Sequence, residues 1–326
     1  MIRGFTFGKY LPFHLGHKAL IDYGIKHCDE LVVVVCASDK EDIPIHIRTQ
    51  WITETYIHLT QVKVVPLSYS EADLPNTSVS SPEVSRIWAE KFSAMLSQVD
   101  LVFTSEPYGD YVASYMGIRH FMFDQHRQNL PISGTAIRTS IYRHWDMLPA
   151  AVKAYYQRTL IVLGTESTGK STLCEYLHQQ YSSSLVKEAG RDIVEHSDNI
   201  SKEQLMRIAK MHAQQIMRAK AELQPLVVVD TDVHITQSYA RYCFSEYLAL
   251  PQSIYEVNTG DLYIYLDKDA PYIQDGSRLS LEDRNTLDNY HRQTLADFDI
   301  NFVIMKGDYE SRRIKTCKLV DELLKL

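Results

Sequence analysis

Gly164-Thr165-Glu166-Ser167-Thr168-Gly169-Lys170-Ser171 sets two glycines, a lysine and a hydroxyl at the spacing GxxxxGK(S/T). Glycines there let successive backbone N–H groups curl around phosphate oxygens, and the dipole of a following helix favours the same anion. Lys170 would bridge the β- and γ-phosphates of ATP, the Ser171 hydroxyl would ligate Mg2+, and Thr172 follows in the first helical turn. The run sits directly after the apolar stretch Thr159 to Leu163 and before an amphipathic one, the context such a loop needs.

Carboxylates for the same chemistry follow predicted strands. Asp230 ends Leu226-Val227-Val228-Val229, where a carboxylate faces the ligand crevice of an open α/β sheet and can hold Mg2+. Asp232 has two equal readings, substrate contact or N-cap of a helix starting near Val233. Glu188 follows the next predicted strand and is a candidate base for an attacking hydroxyl, with Arg191 stabilising transferred charge. Arg278, in Asp275-Gly276-Ser277-Arg278, is a candidate for a lid that closes over the triphosphate.

A second constellation lies near the start. Gly8-Lys9-Tyr10-Leu11-Pro12-Phe13-His14-Leu15-Gly16-His17 carries HxGH between a predicted strand and a helix. At that spacing both imidazoles project from the helix start and can donate hydrogen bonds as charge develops at an α-phosphate. None of these groups is a good nucleophile, so direct displacement without a covalent intermediate is the natural mechanism. Ile132-Ser133-Gly134-Thr135-Ala136-Ile137-Arg138 reads as a further helix start, with Ser133 or Thr135 near the cap. Its free N–H groups, hydroxyls and Arg138 form a second anion site facing the first across the crevice.

The elements that must position these groups are legible. Predicted strands at residues 2–7, 31–36, 62–66, 101–104 and 120–123 form one series, and strands at 159–163, 184–187, 226–229, 262–266 and 302–305 form another, with helical patterns between them. The expected fold is α/β: two doubly wound parallel-sheet domains, a Rossmann-like domain over residues 1–156 and a P-loop domain over residues 157–326. No Gly/Ser linker separates them, so an ordered helical connection is expected from Arg143 to about Tyr156.

With 326 residues, 45% of them hydrophobic and 23% charged, the chain has enough apolar sequence for two cores. A net charge of −7 argues against an extended nucleic-acid footprint but permits local pockets for small anions. The five cysteines, Cys28, Cys36, Cys174, Cys243 and Cys317, show no CxxC pair and read as buried free thiols of a cytoplasmic protein. No signal segment and no run long enough for a membrane span are evident.

The HxGH and ISxTxxR signatures resemble those of the nucleotidyltransferase superfamily that includes nicotinamide mononucleotide adenylyltransferases. Followed by a P-loop with EAGR and DTD elements, they resemble the NadR-type bifunctional family, from Gly8 to Arg278. That resemblance implies an N-terminal adenylyltransferase in which His14, His17 and Arg138 act on ATP, with Gly8, Lys9, Tyr10, Ser133 and Thr135 shaping the site. It implies a C-terminal ribosylnicotinamide kinase served by Lys170, Ser171, Asp230 and Glu188. Trp88 is a candidate platform for the nicotinamide ring, weighed against a core role beside Ile87 and Phe92. Small-molecule partners follow: ATP, nicotinamide riboside, its mononucleotide and NAD, with homo-oligomerisation left open. Some members carry a helix-turn-helix ahead of the first strand, for which this chain has no residues, so no DNA binding is expected. A coenzyme A synthase, whose adenylyltransferase usually has Thr where His14 stands, is the nearest enzymatic rival. A nucleotide sensor without turnover is the rival of another class.

Overall fold

The computed structural model describes residues 1–75, 81–126, 128, 131–192, 200–269 and 280–326. The chain divides into two compact units, Met1–Tyr155 and Tyr156–Leu326. In the first, the order is β1 (Arg3–Gly8), α1 (Leu15–Ile25), β2 (Glu30–Ser38), α2 (Ile45–Thr55), β3 (Val62–Tyr69), α3 (Pro82–Met95), β4 (Leu101–Thr104), α4 (Tyr108–Met116), β5 (Arg119–Met122) and α5 (Gly134–Thr139). A 3-10 helix at Tyr142–Met147 and α6 (Ala150–Tyr156) follow, so the stretch expected to be a helical connection is helical.

The strands pair in the order β3-β2-β1-β4-β5, all parallel. β2, with its run of four valines, is buried over nearly its whole length, as a central parallel strand with helices on both faces must be. Phe5, Val32, Val34, Phe92 and Val102 pack one side of this sheet. Because β2 and β4 flank β1 on opposite sides, the chain changes direction there and leaves a crevice at the carboxyl ends of β1 and β4.

The second unit runs β6 (Arg158–Leu163), α7 (Lys170–Tyr181), β7 (Ser184–Val186), α8 (Lys202–Ala221), β8 (Leu226–Asp230), α9 (Val233–Phe244), α10 (Gln252–Val257), β9 (Leu262–Leu266), α11 (Leu281–Asp297), β10 (Val303–Met305) and α12 (Tyr309–Leu324). Its parallel sheet has the order β10-β9-β6-β8-β7, which puts the ends of β6 and β8 side by side. α8 starts with a capping box, Ser201 and Gln204 each accepting from the other's backbone.

The thiols divide: Cys28, Cys36 and Cys174 are buried as expected, whereas Cys317 is half-buried and Cys243 is exposed. Both exceptions lie on helices, Cys317 on α12 and Cys243 at the C-terminal end of α9, at positions outside the buried faces of those helices. None of the helices among the described residues is long and apolar enough to cross a membrane.

Candidate active sites

In the first unit, the turn after β1 leads straight into α1, and His14 is the N-cap of that helix. Its Nδ1 accepts from the backbone N–H of Gly16 at 3.1 Å and of His17 at 3.3 Å. With Nδ1 accepting, the ring proton belongs on Nε2, which is thereby a donor. The His14 and His17 rings stack with centroids 3.7 Å apart, and Tyr10 meets the edge of His17 at 5.0 Å. The glycine of HxGH is needed for this packing: a Cβ at Gly16 would fall 2.9 Å from His14 Cε1.

The second motif closes on the first. Ser133 caps α5 by accepting from the N–H of Ala136 at 3.2 Å. Arg138 Nη1 donates to the Leu11 carbonyl at 2.6 Å, and its Nη2 donates to Thr135 Oγ1 at 2.9 Å. Two stretches more than 100 positions apart thus meet at one locus, rich in N–H donors and carrying one guanidinium.

A cavity of about 400 Å3 takes in this locus together with several aromatic side chains. Its lining combines Gly8, Lys9, His14, His17, Ser133, Thr135 and Arg138 with the aromatic side chains of Phe7, Tyr69, Trp88 and Tyr108. Trp88 is half-buried and packs against the core, its ring 5.6 Å from Phe92, while its Nε1 donates to the Pro75 carbonyl at 3.1 Å and Tyr69 meets its ring edge-on at 4.9 Å. That leaves a fixed indole as part of the cavity wall. Cys36 also faces the cavity, but burial pushes its thiol up to about 12, so it stays an inert thiol.

Sequence reasoning missed the network beneath Lys9. Glu41 takes an ion pair from Lys9 Nζ at 2.8 Å and another from Arg48 Nη1 at 2.7 Å. Arg48, only 1% exposed, also donates to the carbonyls of Lys9 and Cys36 at 3.0 and 3.4 Å. Burial opposes ionisation of Glu41, yet the hydrogen bonds from Lys9 and Arg48 outweigh it and hold the carboxyl below its usual range. Nothing local in the helical sequence around Arg48 signals this role, because a lone arginine there reads as a surface charge.

In the second unit the P-loop joins β6 to α7. Gly164 at φ +139° and Gly169 at φ +89° occupy conformations that side chains avoid, and a Cβ at Gly164 would lie 2.7 Å from the Leu266 carbonyl. Lys170 Nζ donates to the Thr165 carbonyl at 3.1 Å, and Glu166 Oε1 accepts from Tyr239 OH at 3.2 Å. Thr168 Oγ1 also donates to the Thr165 carbonyl, at 2.8 Å. Ser167, at φ +61°, adopts the left-handed conformation within the loop, and Thr172 stands exposed on α7.

Ser171 Oγ donates to Asp230 Oδ2 at 2.6 Å, which brings the two proposed metal ligands together. No group of three or more His, Cys, Asp or Glu side chains converges among the described residues. Two oxygens suit Mg2+, which keeps waters and takes its remaining ligands from phosphate. Thr231, between Asp230 and Asp232, adopts φ +75°, a conformation that costs a β-branched residue about 1–3 kcal/mol. Asp232 is fully buried, with Oδ1 accepting from the N–H groups of His234 and Ile235 and Oδ2 2.6 Å from His234 Nδ1. The capping reading of this residue is therefore what its hydrogen bonds show.

Glu188 is half-buried just beyond β7, in front of a 3-10 turn at Ala189–Asp192. The Arg191 side chain and Arg278 lie outside the described residues. Two buried arginines that sequence reasoning passed over brace the P-loop: Arg284 Nε donates to the Glu166 carbonyl and Arg312 Nη1 to the Thr168 carbonyl, each at 2.9 Å. Both come from helices whose charge-rich sequences look like solvated surface.

Comparison with known proteins follows the same division. Residues 159–312 match the family described as AAA domain, and residues 9–84 match the citrate lyase ligase C-terminal domain. The trifunctional NAD biosynthesis/regulator protein NadR of Escherichia coli (strain K12) is 29% identical over 348 aligned positions, covering 98% of this chain and 83% of that protein. A nicotinamide-nucleotide adenylyltransferase of Methanocorpusculum labreanum is 27% identical over 144 positions, covering 44% of this chain and 80% of its own. A crystal structure of NadR protein in complex with NAD and AMP-PNP has the same fold, with TM-score 0.66 at 21% identity over 100% of this chain and 96% of that one.

Proposed function

Because the chain is of the NadR type along nearly its whole length, we propose that it makes NAD in two ATP-dependent steps, one in each unit. The second unit phosphorylates the 5′-hydroxyl of nicotinamide riboside, and the first transfers an adenylyl group from ATP to the resulting mononucleotide with loss of pyrophosphate. The observation that carries the reading is the meeting of HxGH and ISxTxxR in one cavity that aromatic side chains also line. A triphosphate and a flat pyridinium ring need those two environments within one site.

In the adenylyl step the mononucleotide phosphate attacks the α-phosphorus of ATP and pyrophosphate leaves. The Nε2–H of His14, His17, Arg138 and the N–H groups at the start of α5 face the phosphates and stabilise the charge that builds there. Gly8, Lys9, Tyr10, Ser133 and Thr135 shape the triphosphate site. Trp88 offers its face to the nicotinamide ring, whose positive charge favours an indole.

In the kinase step, the loop Gly164 to Ser171, with Glu166, Ser167, Thr168, Gly169 and the following Thr172, cradles the triphosphate, and Lys170 spans its β- and γ-phosphates. Glu188 accepts the proton of the attacking hydroxyl. Asp232, whose oxygens are engaged as a cap, adds negative charge beside a cationic nucleoside. Arg191 and Arg278 supply positive charge to the transferred phosphoryl group. Ser171 and Asp230 would hold Mg2+, which would supply positive charge against the phosphates. ATP as donor and unpaired cysteines suit the cytoplasm.

Two separate assays test the assignment. Mononucleotide with Mg-ATP should yield NAD, read by reduction in a coupled dehydrogenase reaction, and nicotinamide riboside with Mg-ATP should release ADP. Absence of either activity from the purified chain would remove that unit's half of the reading.

A further inference from the structure

α8 has 20 residues and spans about 30 Å, whereas β8, the strand it leads into, has five and spans about 17 Å. The N-terminal half of the helix therefore reaches past the carboxyl end of the strand, on the side where Asp230 ends β8 and Glu188 follows β7. Its buried stripe is Leu205, Ile208, Ala209, His212, Ala213, Ile216 and Ala219, so His212 is the single polar member.

Its neighbours fix where that imidazole lies. Ile208, one turn earlier, packs with Ala189, the residue after Glu188. Ala213, the next residue, packs with Val233, the residue after Asp232. His212 is thus flanked by Glu188 and Asp232, and those are the two carboxylates whose charge it feels. It is 4% exposed, and its Nε2 has no hydrogen-bond partner. A buried ring nitrogen without a partner is rare in a native protein unless something absent completes the bond. A purely structural histidine in this stripe would do better as leucine.

We propose that His212 is a binding residue of the acceptor subsite, its Nε2 hydrogen-bonding the nucleoside whose hydroxyl is phosphorylated. This rests on the kinase reading of the second unit. Burial, against the raising influence of Asp232 and Glu188, holds the imidazole below its ordinary pKa. An uncharged ring leaves the field of Glu188, Asp230 and Asp232 in place for a cationic nucleoside, which a second cation would oppose.

The test separates KM from kcat in the kinase assay for His212→Leu and His212→Asn. Leu keeps the bulk and removes the hydrogen bond, and should raise KM for nicotinamide riboside on the order of tenfold, with KM for ATP within about twofold. Asn, which can still donate and accept, should recover part of that loss. As a second measurement that needs no variant to fold, the 15N signal of His212 in the wild-type protein should move when nicotinamide riboside is added without ATP. An unchanged riboside KM in the Leu variant, parallel rises in both KM values, or a stationary 15N signal overturns the proposal. A wild-type protein that phosphorylates no nucleoside removes the kinase reading and this inference together, whereas an active one with an indifferent His212 removes the inference alone.

Discussion

Replacing Arg48 by Leu should destabilise the first unit selectively. The guanidinium is 1% exposed and holds Glu41 at 2.7 Å together with the Lys9 and Cys36 carbonyls. Breaking a buried pair by removing one partner costs about 3–5 kcal/mol. Glu41 would keep Lys9 at 2.8 Å and the N–H of Ser38 at 3.1 Å, which places the loss at the lower end, about 3 kcal/mol. For a unit of this size, that corresponds to a fall in Tm of roughly 6–12 °C. All three tryptophans, Trp51, Trp88 and Trp145, lie within Met1–Tyr155, so selectively excited tryptophan fluorescence reports this unit alone. The pH dependence adds a second constraint. Glu41 titrates below its ordinary 4.5 in the folded state, so its contribution is complete above that pH and is lost as pH falls from there through the lowered value. With Arg48 gone the folded value rises, and the acid loss of stability flattens. A Tm shift under about 2 °C, or an acid limb identical to wild type, would refute the reasoning.

Three further outcomes are expected. His17→Ala should lower adenylyl transfer about 10²–10³-fold while leaving riboside phosphorylation unchanged, measured by the two separate assays. Trp88→Ala should raise KM for the mononucleotide on the order of tenfold with little change in KM for ATP, since only an aromatic side chain of the cavity is altered. Asp230→Asn should depress the kinase at least about 10²-fold and shift its Mg2+ requirement upward, visible in a magnesium titration of ADP release.

The two sheets were legible because parallel strands buried on both faces announce themselves as short apolar runs, and all ten fall where residues 2–7 through 302–305 predict them. The phosphate-binding turns were legible because glycines and capping residues act locally: Gly16 must clear the His14 ring, and Gly164 must clear the Leu266 carbonyl. What the sequence hid are long-range polar ties. Arg48, Arg284 and Arg312 sit on helices whose patterns assign them to solvent, yet each is buried on backbone carbonyls brought close only by the finished fold. Asp232 was undecided between substrate and cap because both require a carboxylate at the same helix start, and only the bonds to His234 and Ile235 show the cap. Nothing in the sequence singles out His212, since spacing cannot tell a satisfied ring from one without a partner.

The central claim is that two sites, one in each unit, act in sequence on one nucleoside. It is tested most directly by incubating wild type, His17→Ala and Lys170→Met with nicotinamide riboside and Mg-ATP, and weighing the products by mass spectrometry. Wild type should carry the riboside to NAD, His17→Ala should stop at the mononucleotide, and Lys170→Met should leave the riboside untouched while still converting added mononucleotide to NAD. If either substitution abolished both conversions, or if Lys170→Met still phosphorylated the riboside, the division of labour between the two units would be wrong.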